Sequence, residues 1–192
     1  MLLAAATAVA LLGRMEAVNP NLRAFTATMH AHVAMRSFPF LSVDLAGTYY
    51  YKAPDKNKVV FTSGVPLAAE QFDKLYAHID APSEWEQRYV VTLTSDDGRS
   101  AQFKLVPRKT GNVARLDATV DDRTATVTSM RWTYQNGGYA EMANVYGRIG
   151  GNFVVVSQTG HVEEPGYVAD LSSTLGNYAI NASVPDSVFE SH

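Results

Sequence analysis

Residues 22–35 read Leu-Arg-Ala-Phe-Thr-Ala-Thr-Met-His-Ala-His-Val-Ala-Met, and their period decides the fold. From Phe25 to Met35 the odd positions are Phe25, Ala27, Met29, Ala31, Val33 and Met35, while the even positions include Thr26, Thr28, His30 and His32. Successive side chains on extended backbone point to opposite sides, so a period of two predicts a strand with one apolar face and one wet face. C-terminal to it, residues 43–52 read as an aromatic and β-branched strand with Tyr49-Tyr50-Tyr51, closed by the turn signal Pro54-Asp55, and 57–63 as a third strand. Over 65–87 the period becomes helical. Leu67, Phe72, Leu75, Tyr76 and Ile79 recur at three- and four-residue spacing behind Pro66. A shorter helical piece at 83–88 follows Pro82 and carries Trp85.

Beyond residue 88 only strand signals occur, at 89–94, 100–106, 115–120, 125–134, 139–146, 153–159, 167–172 and 178–182. Turn residues such as Asp96-Asp97-Gly98, Asp121-Asp122 and Asn136-Gly137-Gly138 separate them, at a spacing of about 8–12 residues. That spacing predicts an antiparallel meander in which sequence neighbours pair. The fold class is therefore mainly β: a curved antiparallel half-barrel of about ten strands, with an N-terminal helix and a helical insertion after the third strand covering the concave face. Residues 65–88 and one N-terminal helix are too few to close-pack against so wide a face, which predicts a hollow lined by apolar side chains. The residues expected to line it are Phe25, Met29 and Val33 on the first strand, Leu45 and Tyr49 on the second, Phe61 on the third, Phe72, Leu75 and Ile79 on the inserted helix, and Trp85.

With 192 residues the chain is one domain, and a hydrophobic fraction of 46% is that of a packed globular protein. A formal net charge of −3 with dispersed charges argues against a nucleic-acid partner, which needs a clustered basic face. The chain has no cysteine, which excludes disulfides, thiolate metal sites and cysteine nucleophiles. The run from Met1 to Leu12 is apolar but shorter than the ~20 residues needed to span a bilayer. Ala6-Thr7-Ala8 and Ala8-Val9-Ala10 have the small-residue form of a signal cleavage site. Residues 1–10 are thus expected to be a clipped signal peptide and 11–192 a single domain, against the alternative that 4–18 is simply an N-terminal helix. Export predicts a mature N-terminus near Thr7 to Leu11 on protein outside the cytoplasm; an intact Met1 on protein confined to the cytosolic fraction would contradict it.

Three stretches carry a resemblance: the F-x-A-x-M face within 12–33, Gly47-Thr48-Tyr49-Tyr50-Tyr51-Lys52-Ala53-Pro54, and the tail Asn177-Tyr178-Ala179-Ile180-Asn181 with Pro185-Asp186-Ser187-Val188-Phe189. In this order, around a helical insert and a meander, they resemble the periplasmic carriers of outer-membrane lipoproteins, the LolA/LolB-like fold. The resemblance implies an incomplete barrel whose concave face holds acyl chains beneath helices. It also implies cargo received from an inner-membrane exporter and passed to an outer-membrane acceptor. That acceptor is anchored through an acylated cysteine, so a chain without cysteine fits the soluble carrier, expected as a monomer. Relatives with this pattern include envelope-stress regulators. Where the carriers place an arginine before the proline to latch the lid, this chain has Ala53, leaving Lys52 as the residue for a latch.

Enzyme readings find less support. No G-x-S-x-G elbow, H-E-x-x-H or phosphate-binding glycine loop occurs, and Gly147 to Gly151 is expected between strands. His30 and His32 share a strand face at a spacing that suits a metal, and His161 stands near Glu163 and Glu164. The plainer expectation is a solvent-facing His30 and His32 and a turn-capping His161, with no metal and no cofactor. The carboxylate pairs Asp96-Asp97, Asp121-Asp122 and Glu163-Glu164 fall at predicted turns, where they serve turn chemistry. Aromatics such as Trp132 and Tyr146 suit either sugar stacking or ordinary strand packing. Met29, Met35, Met130 and Met142 suit either a deformable pocket or a plain core. The sequence reading is an extracytoplasmic, non-enzymatic carrier of an amphipathic ligand, with an envelope sensing or interaction module on the same fold as the alternative and a hydrolase as the remote one.

Overall fold

The computed structural model describes residues 2–37, 41–62 and 81–190. Helix α1 (Leu2–Glu16) leads into strands β1 (Ala24–Met35), β2 (Leu41–Lys52) and β3 (Lys56–Phe61). A second helix, α2 (Pro82–Arg88), runs directly into β4 (Tyr89–Asp96) and β5 (Ser100–Pro107). Strands β6 (Val113–Asp121), β7 (Thr126–Tyr134), β8 (Tyr139–Ile149), β9 (Asn152–Glu164) and β10 (Tyr167–Ile180) complete the sheet, and a 3-10 turn over Asp186–Phe189 follows. All ten strands form one open antiparallel sheet in the order β3-β2-β1-β10-β9-β8-β7-β6-β5-β4. Mainly β architecture, the N-terminal helix and a helix after the third strand are as the sequence predicts. Residues 65–80 of the predicted insertion lie outside the described residues, while its second piece is α2.

The pairing departs from a simple meander in one respect. β1 pairs with β10, so the first and last strands meet in mid-sheet and the two free edges are β3 and β4. Two predicted boundaries also change. The separate strands expected at 167–172 and 178–182 are one strand, because the break between them is a bulge: Thr26 faces Ala179 and Thr28 faces Gly176, with the extra residue accommodated where Asn177 takes a φ of 50°. Gly147 lies within β8, and the hairpin to β9 turns at Gly150 and Gly151, whose φ values of 57° and 83° suit a two-residue turn.

Burial along β1 alternates as the sequence pattern requires, with Phe25, Ala27, Met29, Ala31, Val33 and Met35 buried and Thr28, His30 and His32 exposed. The apolar face of the sheet is divided into two cores. One joins Leu11, Leu12 and Met15 of α1 and Trp85 of α2 to inward residues of β5, β6 and β7, among them Phe103, Leu105, Leu116 and Met130. Arg14 ties α1 to the β6–β7 turn through an ion pair with Asp122 at 2.9 Å. The other core gathers Phe25, Met29, Val33, Leu45, Val59, Val154 and Leu175 from β1, β2, β3, β9 and β10. Gly47 permits its close packing: a Cβ there would stand 2.6 Å from the Val60 carbonyl oxygen of β3.

Candidate functional site

Between the two cores, on the concave face, lies a cavity of about 560 Å³, within the roughly 300–1,000 Å³ of small-molecule pockets. Met15 and Val18 reach it from α1 and the turn after it, and Leu22 from the linker to β1. The opposite wall is aromatic. Phe25 stacks against Tyr49 and Tyr51 at centroid distances of 5.7 and 5.1 Å and meets Tyr178 at 5.2 Å, and all four rings line the cavity.

A split in the sheet forms one flank. The β9–β10 ladder ends at Ser157 and Thr174. Past that point β9 remains paired with β8 and β10 with β1, so Phe153, Val154 and Val155 face Leu175 and Tyr178 across the cavity wall. Side chains replace the missing ladder. The Asn19 carboxamide donates to the Phe153 carbonyl and accepts from the Phe153 N–H, both at 2.8 Å, and the Tyr178 hydroxyl donates to the Val155 carbonyl. Extended backbone groups left unpaired in a buried place are costly, which explains why the linker after α1 carries an asparagine at this point.

The wall is desolvated enough to be read in its tyrosines. Burial pushes the Tyr146 hydroxyl up to about 12 and raises Tyr178 further, while burial and then the Asp55 carboxylate raise Tyr51. All three are neutral hydrogen-bonding groups at physiological pH. A buried polar row crosses the floor: Gln158 Nε2 donates to Asn144 Oδ1 at 2.9 Å and approaches Met142 Sδ at 3.3 Å. Asn144 Nδ2 donates to the Val127 carbonyl at 3.0 Å, and the Tyr146 hydroxyl to the same oxygen at 3.1 Å. The sequence reading missed this row. The signal was available in strand parity, since Asn144 follows Ala140 and Met142 on the inward side of β8, but polar residues there resembled wet-face positions.

Of the residues expected at the site, Phe25 and Tyr49 line the cavity. Met29, Val33 and Leu45 are buried beside them in the same core, with Phe61 packed against it. Trp85 sits in the other core, edge-on to Phe103 with centroids 5.9 Å apart, because α2 lies under β4 at the far edge of the sheet. Phe72, Leu75 and Ile79 are outside the described residues.

Lys52 faces the C-terminal tail. Its Nζ lies 3.1 Å from Asp186 Oδ1 and donates to the Val184 carbonyl at 3.4 Å. Lys56 holds the same carboxylate at 2.8 Å, and Lys58 bonds the Glu190 carbonyl. The hydrogen bonds from Lys56 and Lys52 hold the Asp186 carboxyl below the usual carboxylate range. A lowered carboxyl pKa means the clasp is complete above about pH 4, the ordinary carboxyl value, and is lost as pH falls through the lower folded value. Protection of the Val188 and Glu190 amides, taken as exchange relative to the intrinsic rate at each pH, is therefore expected to fall below that pH, and Asp186→Asn to lower it in the same way at pH 7. Protection independent of both would contradict the clasp.

The convex face carries His30, His32 and His161. His30 and His32 are exposed, and His32 Nδ1 lies 2.7 Å from Asp44 Oδ1. Replacing both by Gln is expected to change stability by no more than ~0.5 kcal/mol, the scale of surface positions; a urea midpoint shift of several-fold that energy, or stoichiometric zinc lost with the double variant, would contradict it. His161 stands within β9, not at a turn, because the strand continues to Glu164. Its Nδ1 lies 2.6 Å from Asp170 Oδ1, whose other oxygen accepts from Arg36 Nε at 2.5 Å; His161 and then Arg36 hold the Asp170 carboxyl low. Asp96 and Asp97 do occupy a turn, accepting backbone N–H bonds of 2.8–2.9 Å from Gly98, Arg99 and Ser100. Asp121 does the same for Arg123 and Thr124. Among the described residues no group of three or more His, Asp or Glu is arranged to hold a metal ion, and no helix is long and apolar enough to cross a membrane.

No protein-family model matches the chain, and no characterised protein matches it in sequence. Solved structures match over nearly the whole length. A structure described as an outer membrane lipoprotein-sorting protein domain from Vibrio parahaemolyticus superposes with a TM-score of 0.73 at 7% identity, covering 93% of this chain and 94% of the other. A DUF1329 family protein from Desulfovibrio piger gives 0.67 at 14% identity, with 94% of each chain covered. A LolA superfamily protein from Nitrosomonas europaea gives 0.63 at 10% identity over 95% of this chain and 96% of its own. At these identities the likeness is one of fold: the open ten-stranded sheet is the LolA-like sheet.

Proposed function

We propose that the protein is an extracytoplasmic carrier that takes the acyl chains of a lipoprotein or another amphipathic ligand into the cavity and moves it through the cell envelope without chemistry. The observation that supports this reading is the 560 Å³ space itself, walled by the Phe25, Tyr49, Tyr51 and Tyr178 rings between two closed cores. Burial of apolar area drives such binding at roughly 25 cal/mol per Å², and an aromatic wall supplies that area with little flexibility to lose. The LolA-like sheet is shared with a lipoprotein-sorting domain, which favours an acyl ligand over a sugar for the same rings. Phe25 and Tyr49 form the contact wall, with Met29, Val33, Leu45 and Phe61 continuing the apolar face behind it. An inner-membrane exporter and an outer-membrane acceptor are the partners this role requires.

The test is a titration with N-phenyl-1-naphthylamine, a neutral apolar fluorophore, followed by displacement with acyl compounds. Saturable binding near one equivalent is expected, weakened in Leu22→Trp, which adds bulk to the cavity from the linker side without altering a strand. A folded wild-type protein that binds no such probe would overturn the carrier reading.

A further inference from the structure

The polar row on the cavity floor has a fixed direction. The Val127 oxygen is a backbone carbonyl and accepts only, so the Asn144 carboxamide must present its NH₂ there and its oxygen to Gln158. Gln158 must then donate through Nε2, which leaves Oε1 as an acceptor with no partner among the described residues. Gln158 and Asn144 are only 7% and 9% exposed, and both line the cavity.

Four donors of the cavity wall are engaged with backbone carbonyls. Tyr146 and Tyr178 give their hydroxyl protons to Val127 and Val155, and Asn19 gives its NH₂ to Phe153. Tyr51 points its hydroxyl to the Pro54 carbonyl at 3.3 Å. The charged groups among the described lining residues are Glu16 and Asp55, both acidic. Beside Gln158, its register partner Ser173 on β10 is 3% exposed and is not among the cavity-lining residues. An acceptor left unmatched on the wall of a cavity is a group that a ligand donor satisfies at a gain.

We propose that Gln158 and Asn144 form a subsite for an uncharged hydrogen-bond donor on the ligand, the N–H of an amide or an O–H, and that the cavity rejects a free carboxylate or phosphate. This rests on the carrier reading and narrows it. An anion entering the cavity passes two exposed acidic side chains, Glu16 and Asp55, and meets an acceptor beside buried polar groups with no cation among the described lining residues to pair it, where an unpaired charge is disfavoured. An amide N–H or hydroxyl instead supplies the proton that Gln158 Oε1 lacks.

The experiment is displacement of bound N-phenyl-1-naphthylamine from the full chain at pH 8 by three ligands of one chain length: dodecanamide, methyl dodecanoate and dodecanoate. Dodecanamide is expected to displace the probe at concentrations at least tenfold lower than either of the others, since the ester has no donor and the carboxylate is charged. In Gln158→Met, which keeps the length and removes the acceptor, the gap between amide and ester is expected to close once each potency is corrected for the variant's own affinity for the probe, whose amine N–H is itself a donor. Equal potency of the three ligands, or dodecanoate the strongest, overturns the subsite and leaves the carrier reading standing. An amide preference that survives in folded Gln158→Met also overturns it; if that variant does not fold, the wild-type series decides. Failure of the probe itself to bind removes the carrier reading and the subsite together.

Discussion

Trp85→Ala is expected to destabilise the fold by about 3–5 kcal/mol, the range for removing a large aromatic side chain from a core. Trp85 is 1% exposed and is the one buried residue of α2. A helix of seven residues has no stability of its own in water, so its place in the fold depends on that anchor. Its ring packs edge-on to Phe103, a geometry worth something beyond burial alone. Ala81, Pro82 and Ser83 at the start of α2 line the cavity, so the same substitution is expected to weaken probe binding in whatever fraction stays folded. Urea unfolding followed by far-UV circular dichroism measures the first effect, and a loss under about 1 kcal/mol would show that α2 is held by something other than its tryptophan.

Met29→Ala is expected to cost about 2–5 kcal/mol. Met29 sits at the centre of β1 with 1% exposure; its register partners are Gly47 on β2 and Leu175 on β10. Gly47 has no side chain to move into the space, and the Val60 backbone of β3 closes over it. The void left by the shorter side chain therefore persists, which places the cost in the upper part of the range. Met29 is buried in the core and is not among the cavity-lining residues, so probe affinity is expected to change much less than stability. A loss near ~1 kcal/mol with a large fall in affinity would reverse that assignment, because trimming the wall of an existing hollow creates little new void.

The strands were legible because their information is local. Alternation in β1, the tyrosine run of β2 and the Asp-Gly and Asn-Gly turns each encode one element within a few residues, and the burial pattern of β1 follows that alternation residue by residue. The β1–β10 pairing was not legible, since nothing in Thr28 or Gly176 announces a partner nearly 150 positions away. The bulge at Asn177 interrupts the period-two pattern, so the sequence divides one strand into two; asparagine accepts the positive φ that a break in the ladder needs. Trp85 was expected at the hollow because it sits on the helical piece predicted to cover the concave face. Which end of the sheet α2 would lie under depended on β4 being an edge, a property of the whole topology. The polar floor was hidden differently. Asn144, Gln158 and Ser173 are inward-facing by parity, yet polar residues on strands are ordinarily outward, and only the register that brings Gln158 beside Ser173 and Asn144 makes them a row.

The central claim is that the space between the two cores is built for an acyl chain, and the measurement nearest to it is mass spectrometry of what the full chain carries when purified without detergent from the cells that make it. About one acyl-bearing molecule per protein is expected, released by organic solvent and reduced in Leu22→Trp. Protein that folds, retains its cavity and yields no acyl-bearing molecule above the level in Leu22→Trp would contradict it.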